Sequence, residues 1–231
     1  VGETLRIGTP EIAIRLRRHS RARRLVLRIN ANAEDPVLTL PPRATLAEAQ
    51  AFALDHEPWL RRHLAARPDV IPVAPGTRLP VAGEVMEVAL GARFHLDRGA
   101  GTLFLPGPAA RVPAQAAAFL REEARAACQA AVARHAMALG RRPGRITLRD
   151  PRSRWGSCTS QGGLMFSWRL AMAPPEVLDY VAAHEVAHLA ELNHSDRFWD
   201  LVDRLCPHNA RPRAWLRRQG AGLHRYGFSL S

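Results

Sequence analysis

The chain has 231 residues, 47% hydrophobic and 23% charged, with a mean hydropathy of −0.18, which excludes a disordered tail and suits one large domain or two small ones. Its 33 basic residues are all arginine and face 21 acidic ones, leaving a formal charge of +12. No apolar run approaches the roughly 18 residues of a membrane span, the arginine-studded start has no signal-like stretch, and Cys128, Cys158 and Cys206 are too scattered for a disulfide framework. The expectation is a cytoplasmic protein with no membrane partner.

The first hundred residues read as mostly strand. Ile12 and Ile14, then Leu25, Leu27 and Ile29, then Val37, Leu38 and Leu40 alternate with polar or small neighbours, with turn signals from Asn30 to Pro36. One helix interrupts them, capped by Thr45 and carrying Leu46, Ala49, Phe52 and Ala53 at helical spacing toward Trp59 and Leu60, with Pro68 and Pro72 closing it. A second strand set runs from Val81 to Leu90 and from Phe94 to Leu105, broken at Gly83, Gly91 and the Gly99 to Gly101 turn. Pro106 to Pro113 reads as a linker.

From Pro113 the composition turns to an alanine-rich helix ending near Gly140. Ile146 to Leu148 is a short strand, and Arg154 to Cys158 pairs with Leu164 to Leu170 as a hairpin through Gln161-Gly162-Gly163. Pro174-Pro175 opens a further helix. The order predicts an α+β fold, with a strand-rich region over residues 1–110 and a second domain over 111–231.

That last helix carries His184-Glu185-Val186-Ala187-His188. Histidines at i and i+4 share one helical face, so both imidazoles reach one metal ion, and the adjacent glutamate lies beside it. With ten histidines in the chain the pattern has a chance expectation of about 0.02. The spacing fits zinc, whose bound water a glutamate can deprotonate. A third ligand is required. His194, past the helix end and just before Ser195, which can cap the helix of Phe198, Trp199, Val202 and Leu205, is favoured over Glu191, one turn further along the straight helix.

The segments Arg154-Trp155-Gly156-Ser157-Cys158, Leu164 to Leu170, Tyr180-Val181, His184 to His188 and Asn193-His194-Ser195 with Phe198-Trp199 together resemble the YgjP-like metallopeptidases, relatives of the SprT-like zincins. The resemblance implies a gluzincin-like catalytic domain with a central metal-binding helix, His184, His188 and His194 as zinc ligands, Glu185 as general base, and a protein or peptide substrate. The cysteine ribbon of DNA-linked SprT-like proteins is missing. By analogy with zincin edge strands, Trp155 and Gly156 would shape a substrate cleft, Gly156 by letting a peptide backbone approach. Arg154 or Tyr180 could face a substrate oxyanion. Cys158 reads as a structural cysteine or as a thiolate switch on the metal.

Two further functions fit parts of the sequence. A metal-dependent nucleotide phosphohydrolase would use arginines on phosphates, but the chain has neither a Walker-type glycine loop nor a magnesium-holding carboxylate cluster. A DNA-associated protein without proteolytic activity would use the arginine clusters at Arg15 to Arg24 and Arg211 to Arg218. Arginine exceeds acidic residues by four, five and three in residues 1–72, 73–150 and 151–231, however, so no segment is a basic arm. Arginine standing in for lysine on an ordinary solvated surface explains the same count.

Overall fold

The computed structural model describes residues 3–29, 36–65 and 69–228. Most of the turn expected at Asn30 to Pro36, and the stop at Pro68, lie outside them. The chain divides into two compact units, Val1–Pro68 and Asp69–Ser231.

The first unit is a four-stranded sheet with two helices on one face. Its strands are β1 (Thr4–Ile7), β2 (Ile12–Arg18), β3 (Val26–Arg28) and β4 (Val37–Leu40), ordered β1-β2-β4-β3 with β2 and β4 parallel. Alternation sends Ile12, Ile14, Leu16, Leu38 and Leu40 to the helix side, where they bury with Ala49, Ala53 and Leu60. The expected single helix is two, α1 (Leu46–Asp55) and α2 (Glu57–Ala65). Pro58 explains the break: it has no N–H to donate, and its ring would strike the carbonyl of the preceding turn. Thr45 caps α1 as expected, reciprocally with Glu48, whose carboxylate accepts from the Thr45 N–H at 2.7 Å.

The second unit holds β5 (Ile71–Pro72), β6 (Arg78–Val81), β7 (Glu84–Gly91), β8 (His95–Asp97), β9 (Thr102–Pro106), α3 (Val112–Leu139), β10 (Ile146–Arg149), β11 (Gly156–Cys158), β12 (Leu164–Ser167), α4 (Pro175–Ala187), α5 (Asp196–Leu205), α6 (Ala210–Gln219) and β13 (Tyr226–Gly227). It is mixed α and β. One sheet is ordered β6-β7-β9-β8, another β10-β12-β11. β6 and β7 turn through Ala82 and Gly83, both at positive φ, and a Cβ on Gly83 would sit 2.9 Å from Pro174 Cα, which fixes that turn against the start of α4. The helix expected after Pro113 is α3, ending on Gly140 at φ 65. The expected strand to Leu170 stops at Ser167 and continues as a 3-10 turn, Trp168–Met172.

The two compact units do not divide at residue 110, where the composition changes. Leu79, Val88, Leu103 and Leu105 from the β6–β9 sheet share one core with Leu120 and Val132 of α3 and with Leu164 and Phe166 of β12. Burial of each large side chain contributes about 1.5–3 kcal/mol, so this sheet has its stabilising partner after residue 110, not before it. Pro106 to Pro113 is a 3-10 turn, Ala109–Arg111, leading into α3 rather than a linker. The boundary follows the core and falls at Pro68.

The two ends of this unit meet. β13 pairs in parallel with β5, and buried Arg169 donates to the Leu223 and Tyr226 carbonyls at 2.8 and 3.0 Å while gripping both carboxylate oxygens of Asp150. No helix among the described residues is long and apolar enough to cross a membrane.

Candidate metal centre

Helix α4 is buried on nearly every side, by Val177, Leu178, Val181, Ala182 and Val186. Pro175 opens it, and it closes at His188, which holds the C-cap position at φ −65 and ψ −14. His184 and His188 therefore stand one turn apart at the helix end. The chain then turns tightly, with the N–H groups of Leu189, Ala190 and Glu191 bonded back to Val186 and Ala187, and reaches His194 immediately before α5. Ser195 occupies the N-cap of α5 as expected, although its side chain makes no capping bond.

The turn brings the third histidine back. Ring nitrogens of His184, His188 and His194 lie within 4.8 Å of one another, and the Nε2 atoms of His184 and His194 are 3.1 Å apart. Two nitrogens each about 2.05 Å from a tetrahedral zinc ion stand about 3.3 Å apart, close to the His184–His194 separation. His188 Nδ1 donates to the Glu191 carbonyl at 2.9 Å, which leaves its Nε2 lone pair for a ligand. Glu191 thus enters the site through its backbone and is not among the clustered donors. Burial, with His188 and His194 next, lowers the His184 pKa to about 4, and burial also lowers that of His188. Neutral imidazoles with free lone pairs are the form that binds a metal.

Phe198 is the floor beneath the cluster. Fully buried on α5, its ring lies 4.4 Å from that of His188, 4.7 Å from His194 and 4.9 Å from His184. Periodicity identified Phe198 as apolar and helical, but its contact with all three imidazoles depends on the fold of the intervening turn.

Glu185 points from the same helix toward β11. It is 5% exposed, its Oε2 is buried with no hydrogen-bond partner, and burial raises its pKa to about 8 against the pull of Arg154. A Cβ on Gly156 would lie 2.5 Å from Glu185 Oε1. The absence of a side chain at 156 therefore makes the seat for this carboxylate.

A cleft of about 430 Å³ opens over these groups. Arg154, Trp155, Gly156 and Tyr180, the weaker candidates from the sequence, all line it. Arg154 is exposed at the rim, while Tyr180 is buried, with its ring 6.1 Å from that of His184. Trp155 stacks on His224 at 5.2 Å, and a Cβ on Gly220 would press to 3.0 Å against it. Cys158 also lines the cleft, but its Sγ–H donates to the Thr159 carbonyl and burial, then the Glu185 charge, raises its pKa, so it stays a thiol outside the histidine cluster. The sequence reading missed Leu192 and Leu216, apolar cleft residues from a loop and from α6. They are far apart in the chain and carry no motif.

No curated protein matches the chain. Among solved structures, the crystal structure of the metallopeptidase zymogen of Pyrococcus abyssi abylysin matches at 21% identity, covering 40% of this chain and 95% of that one, with a TM-score of 0.36. The family described as YgjP-like, metallopeptidase domain, matches residues 23–219, most of the chain's length, and its description supports a metal-dependent peptidase. The chain belongs to the YgjP-like metallopeptidase family.

Proposed function

We propose that this protein is a zinc-dependent peptidase in which His184, His188 and His194 hold the ion and Glu185 is the general base, on a zincin-like catalytic region within residues 111–231. The observation that carries the reading is the convergence of three imidazoles beside a buried, unpartnered carboxylate. The chemistry zinc supplies in a three-histidine set is Lewis acidity, which makes water nucleophilic near neutral pH and polarises the scissile carbonyl.

Glu185 accepts the proton of the attacking water and returns it to the leaving amine. Its burial makes the ionised carboxylate a stronger base than an exposed one, and Arg154 opposes part of that effect. The missing side chain at Gly156 leaves room for Oε1 against β11. Among the described residues β11 pairs with β12 on one side only, and its residues line the cleft, which suits an extended peptide added along the open edge. Arg154 or Tyr180 faces the oxyanion. Trp155, Leu192 and Leu216 supply apolar surface for a substrate side chain.

A phosphohydrolase is less well supported. Arg154 is the one arginine lining the cleft, and no carboxylate cluster stands beside the histidines among the described residues. The test is zinc content and casein cleavage in purified wild type, Glu185→Gln and His184→Ala. One zinc per chain in the first two, cleavage in the first alone, and loss of both in the third is expected. Full cleavage by Glu185→Gln overturns the assignment of the base.

A further inference from the structure

We propose that the first unit binds single-stranded nucleic acid across the open face of its sheet, with the groove beside β3 taking the bases. The helices cover one side of that sheet. The other side is set by register: Thr4, Arg15, Val37 and Arg28 form one row across all four strands, and Arg17, Thr39 and Val26 form the next. Arg15, Arg17 and Arg28 are exposed.

Six arginines of this unit separate by what they touch. Arg6 is paired with Glu11, Arg18 donates to the carbonyls of Pro41, Pro42 and Ala44, and Arg61 bridges Glu57 and the Pro10 carbonyl. Those three hold the unit together. No carboxylate among the described residues pairs with Arg15, Arg17 or Arg28, although like charges on one sheet face repel. Arg15 and Arg17 are about 7 Å apart along their strand, and Arg15 and Arg28 about 10 Å apart across two strand spacings. Planar guanidinium groups so arrayed fit a run of phosphates, each able to take a bidentate contact.

The second observation is a cavity of about 780 Å³ at the edge of β3, lined by residues 24–27, Leu25 and Leu27 among them, and by Phe52, His56 and Trp59 from the helices. Val26 lies in a row of the arginine face and also lines this groove, whose rings stand on the helix side, so the two meet at the β3 edge. These half-buried rings, Phe52 stacked on His56 and Trp59 tilted against His63, stand with Arg24 in the groove, and aromatic surface next to a cation suits an unpaired strand rather than a duplex, whose bases are already stacked. An anionic membrane would meet the charges but brings no ring to stack on the aromatic side chains, and a peptide of acidic residues brings none either.

The inference does not rest on the peptidase reading, and its test uses the whole chain. Fluorescence anisotropy measures binding of a labelled oligothymidylate of about 20 nucleotides over a range of salt. Arg15→Glu, Arg17→Glu and Arg28→Glu together are compared with Arg141→Glu, Arg142→Glu and Arg145→Glu, exposed positions of the second unit that change the net charge equally. The first triple is expected to weaken binding at least tenfold more than the second and to reduce the log–log salt slope by about 2. Trp59→Leu is expected to weaken binding several-fold with the slope unchanged. The triple to glutamine serves as a second variant if charge reversal prevents folding. Equal losses from both triples would mean that general attraction to a +12 protein is all there is, and would overturn the proposal. So would equal affinity for a duplex of the same length, or stronger competition by polyglutamate or by phosphatidylserine vesicles than by the oligonucleotide.

Discussion

A methyl group on Gly156 would come within 2.5 Å of Glu185 Oε1, closer than any real contact allows. A backbone position on one strand thereby determines where a carboxylate on a separate helix can rest. Gly156→Ala is expected to lower kcat for peptide cleavage by about 10- to 100-fold, with zinc content unchanged, because it moves a supporting contact and not a ligand. Steady-state kinetics with parallel metal analysis checks this, and wild-type turnover by the alanine variant would refute the seating role.

The identity of the third ligand separates by substitution. His194→Ala is expected to lose zinc as His184→Ala and His188→Ala do, whereas Glu191→Ala keeps it, since residue 191 contributes its carbonyl to His188 Nδ1. Zinc titration with a competing chelator measures the affinities. Retention by His194→Ala with loss by Glu191→Ala would reverse the assignment.

Removal of the metal is expected to lower the thermal midpoint, and returning zinc to restore it, since an ion bound only by the folded chain stabilises it in proportion to the logarithm of its concentration over Kd. Differential scanning fluorimetry with and without chelator is the measurement. His184→Ala should show no zinc-dependent shift.

Acid stability is expected to depend on Asp179, which ties α4 to α3. Its Oδ1 accepts from His135 Nε2 at 2.9 Å and from Arg134 Nη2 at 2.7 Å, and the hydrogen bond from His135, then the two nearby charges, hold its pKa below the ordinary 3.8. A carboxyl lowered on folding contributes stability above its unfolded pKa and loses it as pH falls through the folded value. Asp179→Asn is therefore expected to cost about 1–2 kcal/mol near neutrality, and the gap to wild type should close below the ordinary carboxyl range. Urea melts at neutral and strongly acidic pH test this, and a gap independent of pH would exclude a charge-based origin.

Local chemistry made much of this molecule legible. Gly140 ends α3, Gly162 turns the β11–β12 hairpin at φ 76, and Thr45 caps α1, each a property of one or two residues. His184, Glu185 and His188 were visible because helical spacing converts sequence distance directly into space. Long-range packing was not legible. The composition shift after Pro106 suggested a boundary, yet the strands before it bury their apolar faces against helices after it. That Gly156, a cleft residue, also lies against Glu185 had no signal in the chain order. The arginines between Arg15 and Arg24 looked like one cluster until strand register placed Arg15 and Arg17 on one face and sent Arg18 to the carbonyls before α1.

The clasp between β5 and β13, with the Arg169 grip on Leu223 and Tyr226, has a consequence in time. His224, which backs Trp155 in the cleft wall, lies within the segment that this clasp fastens, well after the three histidines in chain order. During synthesis the three histidines emerge before the wall beside them can be built. A nascent chain exposed only as far as His194 therefore carries the histidine cluster without a finished cleft wall, and the wall closes only once Tyr226 can pair with Ile71.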